Sequence, residues 1–137
     1  MKSITMNKIS KFVDIIAWQK ARILTKEVYG CAKMGQFARD FGLRDQIQRA
    51  SVSTMANIAE GFERGGDKEF VQFLSNSKGS CGEVKSHLYV ALDQNYISAD
   101  SFGQLYAKAE EISKLVSGFM TYLRNSDLRG NKYKGRL

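Results

Sequence analysis

The chain has 137 residues, of which 43% are hydrophobic and 26% charged, a balance that excludes a disordered or fibrous protein. This length is enough to bury a core without disulfides or metals, and no apolar run approaches the roughly 20 residues that a membrane-spanning helix needs. The net charge of +7 suggests a polyanionic partner but does not by itself identify one.

The first two predicted elements are long helices. The chain contains no proline, and its apolar positions recur every three or four residues in four blocks. The first block predicts a helix over about residues 11–34, ended by Gly35 in the position of a C-terminal glycine cap. After a six-residue link, the second block begins near Leu43 and predicts a helix that ends at Gly65 and Gly66. Each helix has one apolar face, so both need a shared core.

The third and fourth predicted helices carry start signals. Asp67 is a predicted N-cap and Glu69 a first-turn acid for a helix that reaches Asn95. Ser98 is predicted to cap the fourth helix, with Asp100 in its first turn. Helices of about 20 to 28 residues joined by short links lie antiparallel to their neighbours. The sequence therefore predicts an all-α, antiparallel, up-down-up-down four-helix bundle.

The chain divides into a flexible N-terminus (residues 1–10), the bundle (11–125) and a basic tail (126–137). The tail has no apolar period, which is typical of a solvated charged segment. Residues 1–33 hold seven lysines and arginines against two acids, whereas residues 34–98 are nearly neutral. The charge excess therefore lies at the two ends of the chain. The tail cations are Arg129, Lys132, Lys134 and Arg136.

A stripe of cations and aromatic residues follows the first predicted helix beside its apolar face. Its members are Lys11, Trp18, Arg22, Lys26, Tyr29 and Lys33. Such a stripe suits a phosphate backbone with exposed bases, because cations release counterions and rings stack on bases. Alternatively the lysines only solvate an outer face, and Trp18 and Tyr29 pack against a neighbouring helix or subunit, which we favour for the two aromatics. The predicted nucleic-acid contacts are Lys11, Arg22, Lys26, Lys33, Arg124 and the four tail cations.

The second predicted helix carries a polar trio. Asn57, Glu60 and Arg64 lie three and four residues apart, a spacing that could serve acid–base chemistry. The preferred interpretation is a Glu60–Arg64 ion pair beside an amide that bonds across helices. We therefore assign Asn57 and Glu60 to helix or subunit packing.

Histidine and cysteine usage argues against a catalytic or metal site. His87 has Glu83 one turn before it but no nucleophile or second ligand at a matching spacing. Cys31 and Cys81 are fifty residues apart and form no zinc-ligand pattern, so we expect reduced core thiols in a cytoplasmic protein. The sequence predicts no enzyme activity, no metal and no cofactor.

Several segments together resemble one protein family. They are Phe12–Ala21, Leu43–Ser53, Ala56–Arg64, Lys68–Phe70, Lys78–Ser80 and Tyr96–Ile97. The chain is similar over about residues 12–125 to bacterial four-helix-bundle proteins encoded in intervening sequences of large-subunit ribosomal RNA genes. That family usually has proline at the position of Met55, so a kink common in the family is not expected here.

The resemblance implies a bundle that assembles into a basic homopentamer and binds RNA, without established enzyme activity. A related branch comprises accessory proteins of diversity-generating retroelements, which partner a reverse transcriptase and bind its template RNA. The residues leave a further alternative, a protein-assembly scaffold whose cations only aid solubility. A basic amphipathic helix on an anionic membrane is the weakest alternative, because the core needs the apolar face of the first helix.

Overall fold

A computed structural model describes residues 9–128 of the protein. No strand occurs within this range, and the predicted all-α four-helix bundle is confirmed. The helices are α1 (Ile16–Ala32), α2 (Phe41–Arg64), α3 (Asp67–Asp93) and α4 (Ala99–Leu128), with short 3-10 turns at Phe12–Asp14 and Phe37–Arg39.

The contacts between α1 and α4 show that the two helices run in opposite directions. The Lys20 ammonium lies 3.3 Å from the Glu111 carboxylate, and the Lys108 ammonium lies 3.8 Å from the carboxylate of Glu27. The later residue of α1 therefore pairs with the earlier residue of α4, as in an antiparallel pair of helices. Because α2 and α3 complete the bundle through short connections, the order is up-down-up-down.

The core is formed by one apolar stripe from each helix. These side chains are fully buried, so removing their surface from water supplies the main stabilisation, at about 25 cal/mol per Å². They include Leu24 and Val28 of α1, Ile47 and Ile58 of α2, Leu74, Val84 and Leu88 of α3, and Ile112, Val116 and Leu123 of α4.

The first helix begins at Ile16, five residues later than predicted. The Asp14 carboxylate accepts backbone N–H bonds from Ser10 at 3.1 Å and Lys11 at 3.0 Å, and these bonds hold its pKa below the usual value. They fold the segment into a separate 3-10 turn, after which Ile15 is extended. Lys11 and Val13 therefore do not belong to α1, and the prediction that they continue its stripes is wrong.

A side-chain bond joins the two connections at one end of the bundle. Asp40 caps α2 by accepting the Leu43 N–H at 3.1 Å, and it also accepts the Tyr96 hydroxyl at 3.0 Å. This bond to a carboxylate raises the pKa of Tyr96. The α1–α2 and α3–α4 connections are thereby tied together.

Two of the other helix ends agree with the sequence, whereas the predicted cap at Gly35 is wrong, because α1 ends at Ala32 and Lys33 is its C-cap. Gly65 ends α2 in the left-handed conformation at φ +85°, as predicted, and the Ser98 hydroxyl accepts the Ser101 N–H at 3.0 Å. Asp67 is not the cap of α3, because Gly66 occupies that position and Asp67 is the first helical residue. The prediction failed because an acid in the first turn and an acid at the cap look alike in sequence.

Close packing of α2 against α3 depends on Gly61. A Cβ atom at this position would lie 2.8 Å from both Phe70 Cδ1 and Phe73 Cβ, too close for any other residue without movement. Further up the helix, α2 runs through Met55 without interruption, as the absence of proline predicts.

The fourth helix extends to Leu128, so residues 126–128 are helical. The remaining tail, with Arg129, Lys132, Lys134 and Arg136, lies outside the described residues, as do residues 1–8 of the N-terminus that was predicted to be flexible over residues 1–10. No helix within residues 9–128 is long and apolar enough to cross a membrane.

Candidate nucleic-acid interface

The structure brings three predicted cations together on one side of α1. Arg22, Lys26 and Lys33 are exposed and follow one another at spacings of four and seven residues. None of the ion pairs among residues 9–128 includes them. With a rise of about 1.5 Å per residue, they span about 16 Å along the helix. We call these three residues the open flank.

The aromatic residues beside the open flank occupy different environments. The Trp18 ring is only 9% exposed and packs edge-on against Phe12, with ring centres 5.2 Å apart. The Arg22 guanidinium lies 5.8 Å from the centre of the same ring. Trp18 is therefore a packing residue within the subunit and not a stacking surface. Tyr29 is 41% exposed and remains accessible.

A groove of about 520 Å³ lies along the open flank. Its walls mix the Arg22 and Lys26 cations with apolar and amide side chains, so it presents positive charge beside apolar surface. The lining residues are Val13, Trp18, Gln19, Arg22, Ile23 and Lys26.

Other predicted contacts lie elsewhere. Lys11 is exposed but belongs to the 3-10 turn before α1. Arg124 lines a depression of about 240 Å³ with Asp67, Lys68, Val71 and Leu123, all residues of α3 and α4. The structure therefore does not place Arg124 on the open flank.

The polar trio of α2 is structural. The Asn57 amide donates to the Ser53 carbonyl at 2.9 Å within its own helix, and the hydroxyls of Ser53 and Ser80 make the bond across to α3, also at 2.9 Å. The prediction that the amide bonds across helices is therefore wrong. Glu60 pairs with Arg64 at 2.9 Å, as predicted, and both side chains are about half exposed.

A second polar groove, of about 370 Å³, lies between α2 and α3. It was not predicted, because its walls come from two helices whose register the sequence does not reveal. Only the spacing of Arg49 and Ser53, four residues apart, hinted at a shared polar side. The lining residues are Gln46, Arg49, Ala50, Ser53, Glu83 and His87.

The two thiols are poorly suited to chemistry. Burial raises the pKa of Cys81 to about 11, and its Sγ donates to the Ala109 carbonyl at 3.0 Å. Burial also raises the pKa of Cys31, and neither thiol forms a disulfide. Over the described range, no three His, Cys, Asp or Glu side chains are placed to hold a metal.

Comparison with known proteins identifies similar chains. The family model described as 23S rRNA-intervening sequence protein matches residues 13–118. A solved structure of a protein of unknown function from the S23 ribosomal protein family of Bacteroides thetaiotaomicron VPI-5482 is 20% identical, with a TM-score of 0.71. The match covers 77% of this chain and 98% of that one, and at this identity it supports the fold alone. No curated protein matches the sequence.

Proposed function

Because this chain belongs to the 23S rRNA-intervening sequence protein family, we propose that it is a non-enzymatic, homo-oligomeric bundle that binds RNA through backbone phosphates. The open flank is the observation that carries this proposal. Its three exposed cations lack acidic partners within the described structure, so each can neutralise a phosphate and release a counterion.

The distribution of charge strengthens this argument. Residues 1–8 hold two lysines and residues 129–137 hold four cations, with no acid in either segment. The described residues therefore carry only one of the seven net positive charges. Because the described residues have a net charge close to zero, the open flank is a local concentration of unpaired cations and does not reflect an excess of positive charge over their whole surface.

Three observations support a non-enzymatic role in the cytoplasm. His87 makes no hydrogen bond to a carboxylate among the described residues, so no side chain there orients it as a base. The raised pKa values of both thiols disfavour a cysteine nucleophile. Two unpaired thiols are also typical of a reducing compartment.

Exposed apolar side chains support self-association. Ile16 is 40% exposed and Ile23 is 51% exposed on the outer side of α1, and Met34, two residues beyond the end of that helix, is 65% exposed. Such residues in a row are typical of a contact between copies. The resemblance to the family adds the expectation of five subunits, which light scattering coupled to size exclusion measures directly.

The test of RNA binding is a salt titration. Full-length protein is titrated against an RNA hairpin with single-stranded flanks at several salt concentrations. About six phosphate contacts predict a slope near −5 for log K against log salt concentration. A slope near zero would instead favour an assembly scaffold, because a scaffold has no phosphates to neutralise.

A further inference from the structure

The groove between α2 and α3 has the form of a small-molecule site. Its volume of about 370 Å³ falls within the roughly 300–1,000 Å³ typical of ligand pockets. Its lining includes Ala50, which is buried and offers only a methyl group, and Ser53, which bonds to Ser80 across the two helices. The space is thus open between larger polar side chains from both helices.

The arginine, glutamate and histidine side chains of this groove are unpaired. Arg49 comes from α2, whereas Glu83 and His87 come from α3. None of the three takes part in the ion pairs or side-chain hydrogen bonds found within residues 9–128. A guanidinium and a carboxylate therefore line one groove, and each is available to a ligand.

This mixture of charges restricts the ligand. A phosphate would be repelled by Glu83, and a simple cation would be repelled by Arg49. A neutral group with acceptors on one edge and donors on another satisfies both. Guanine has this pattern, because N7 and O6 accept two bonds from one arginine and the N1–H and N2–H groups suit one carboxylate. Adenine lacks the acceptor pair that favours arginine.

We propose that this groove binds an unpaired guanine of RNA, with Arg49 on its acceptor edge, Glu83 on its donor edge and His87 against its ring. The inference rests on the proposed RNA-binding function and adds base selectivity to it. The groove on the open flank is lined by α1 and the turn before it, whereas this groove is lined by α2 and α3, so the two share no lining residue. Phosphate contacts on the open flank and base contacts in the groove are thus separate, as positioning and specifying contacts usually are.

The probe is guanosine monophosphate, and the reporter is His87. It is the chain's one histidine, so its ring protons give an unambiguous NMR signal. At constant pH, guanosine monophosphate is expected to shift this signal in a saturable way. Adenosine and uridine monophosphates are expected to bind about fivefold to a hundredfold more weakly, since neither base offers the acceptor pair that binds arginine in a bidentate way.

Variants assign the contacts. Arg49→Gln and Glu83→Gln are each expected to weaken guanosine monophosphate binding about tenfold, and each also reduces the preference over adenosine monophosphate, because adenine lacks both the acceptor pair and the donor pair of guanine. Lys114→Gln, an exposed cation of α4 outside the groove, is the matched control and leaves the affinity unchanged. All three positions are exposed, so the helical circular dichroism signal stays constant.

Three outcomes would overturn the inference: no saturable shift with guanosine monophosphate, equal shifts with all nucleotides, or the same shift with inorganic phosphate. Each leaves the proposed function standing if a guanine-free RNA still binds with a steep salt dependence. Loss of that salt dependence, with selective guanosine monophosphate binding retained, would instead reject phosphate-driven RNA binding and keep the groove.

Discussion

The two flanks of α1 carry similar residues in opposite electrostatic states. On the side toward α4, Lys20 pairs with Glu111 and Glu27 pairs with Lys108, an arrangement we call the paired flank. The open flank, on the other side of the same helix, has cations of the same type without acidic partners. Net charge therefore says little about binding capacity, because availability depends on what the neighbouring helix presents.

The difference arises from the acids of α2 and α4. Glu111 lies on α4 within reach of α1. Two of the three acids of α2 are instead engaged on their own helix, Glu60 with Arg64 and Asp45 with Arg44, and the third, Glu63, pairs with no cation of α1. Toward α1, α2 presents groups such as the Ser51 carbonyl, which accepts the Thr25 hydroxyl at 3.1 Å. The open flank is open because α2 supplies no acid to it.

The largest expected effect comes from removing two cations of the open flank. Arg22→Gln/Lys26→Gln should weaken RNA binding roughly tenfold to a hundredfold and reduce the salt slope by about two, because two phosphate contacts are lost. Lys20→Gln/Lys108→Gln removes the same formal charge and should leave the slope unchanged. Fluorescence anisotropy at several salt concentrations measures both. Equal losses from the two variants would abolish the distinction between the flanks.

A smaller effect should follow from converting the paired flank into an open one. Glu111→Gln releases Lys20 and should raise RNA affinity about threefold with a slope steeper by about one. Glu63→Gln removes an equivalent exposed acid that has no cationic partner in residues 9–128, so it controls for net charge alone. If both variants raise affinity equally without a change in slope, Lys20 contributes no phosphate contact after release.

The smallest effect concerns stability. Lys20→Gln removes an exposed ion pair and should cost about 0.2–1 kcal/mol of unfolding free energy at low salt, vanishing near 1 M salt. Arg22→Gln loses the contact with the Trp18 ring, at a cost of about 0.5–1 kcal/mol that persists at high salt because the side chain also packs. Urea unfolding at low and high salt distinguishes the salt-sensitive loss of stability in Lys20→Gln from the salt-insensitive loss in Arg22→Gln. A salt-sensitive loss in Arg22→Gln would show that its ring contact is unimportant.

The sequence predicts the fold well because helical periodicity is a local signal. Buried residues such as Leu24, Ile58 and Val116 lie where that periodicity places them. The sequence did not predict the start of α1 correctly. The Asp14 carboxylate accepts the backbone N–H groups of Ser10 and Lys11, and the turn that these bonds form replaces the first turn of the predicted helix. Such competition depends on side-chain geometry that the apolar pattern does not contain.

The site was harder to predict than the fold. Lys20 and Arg22 are two residues apart and chemically alike, yet one meets a carboxylate of α4 and the other does not. This outcome depends on the register between distant helices, as does the juxtaposition of Arg49 with Glu83 and His87. Sequence spacing within one helix identifies which residues share a face, but not what faces them.

The number of helices also decides at which pole of the bundle the first helix begins and the last helix ends. An even count of antiparallel helices returns the chain to its starting pole, so α1 begins and α4 ends opposite the bond between Asp40 and Tyr96. The first residue of α1, Ile16, and the last residue of α4, Leu128, therefore lie at the same pole of the bundle. An odd count would have separated these two helix ends by the length of the bundle.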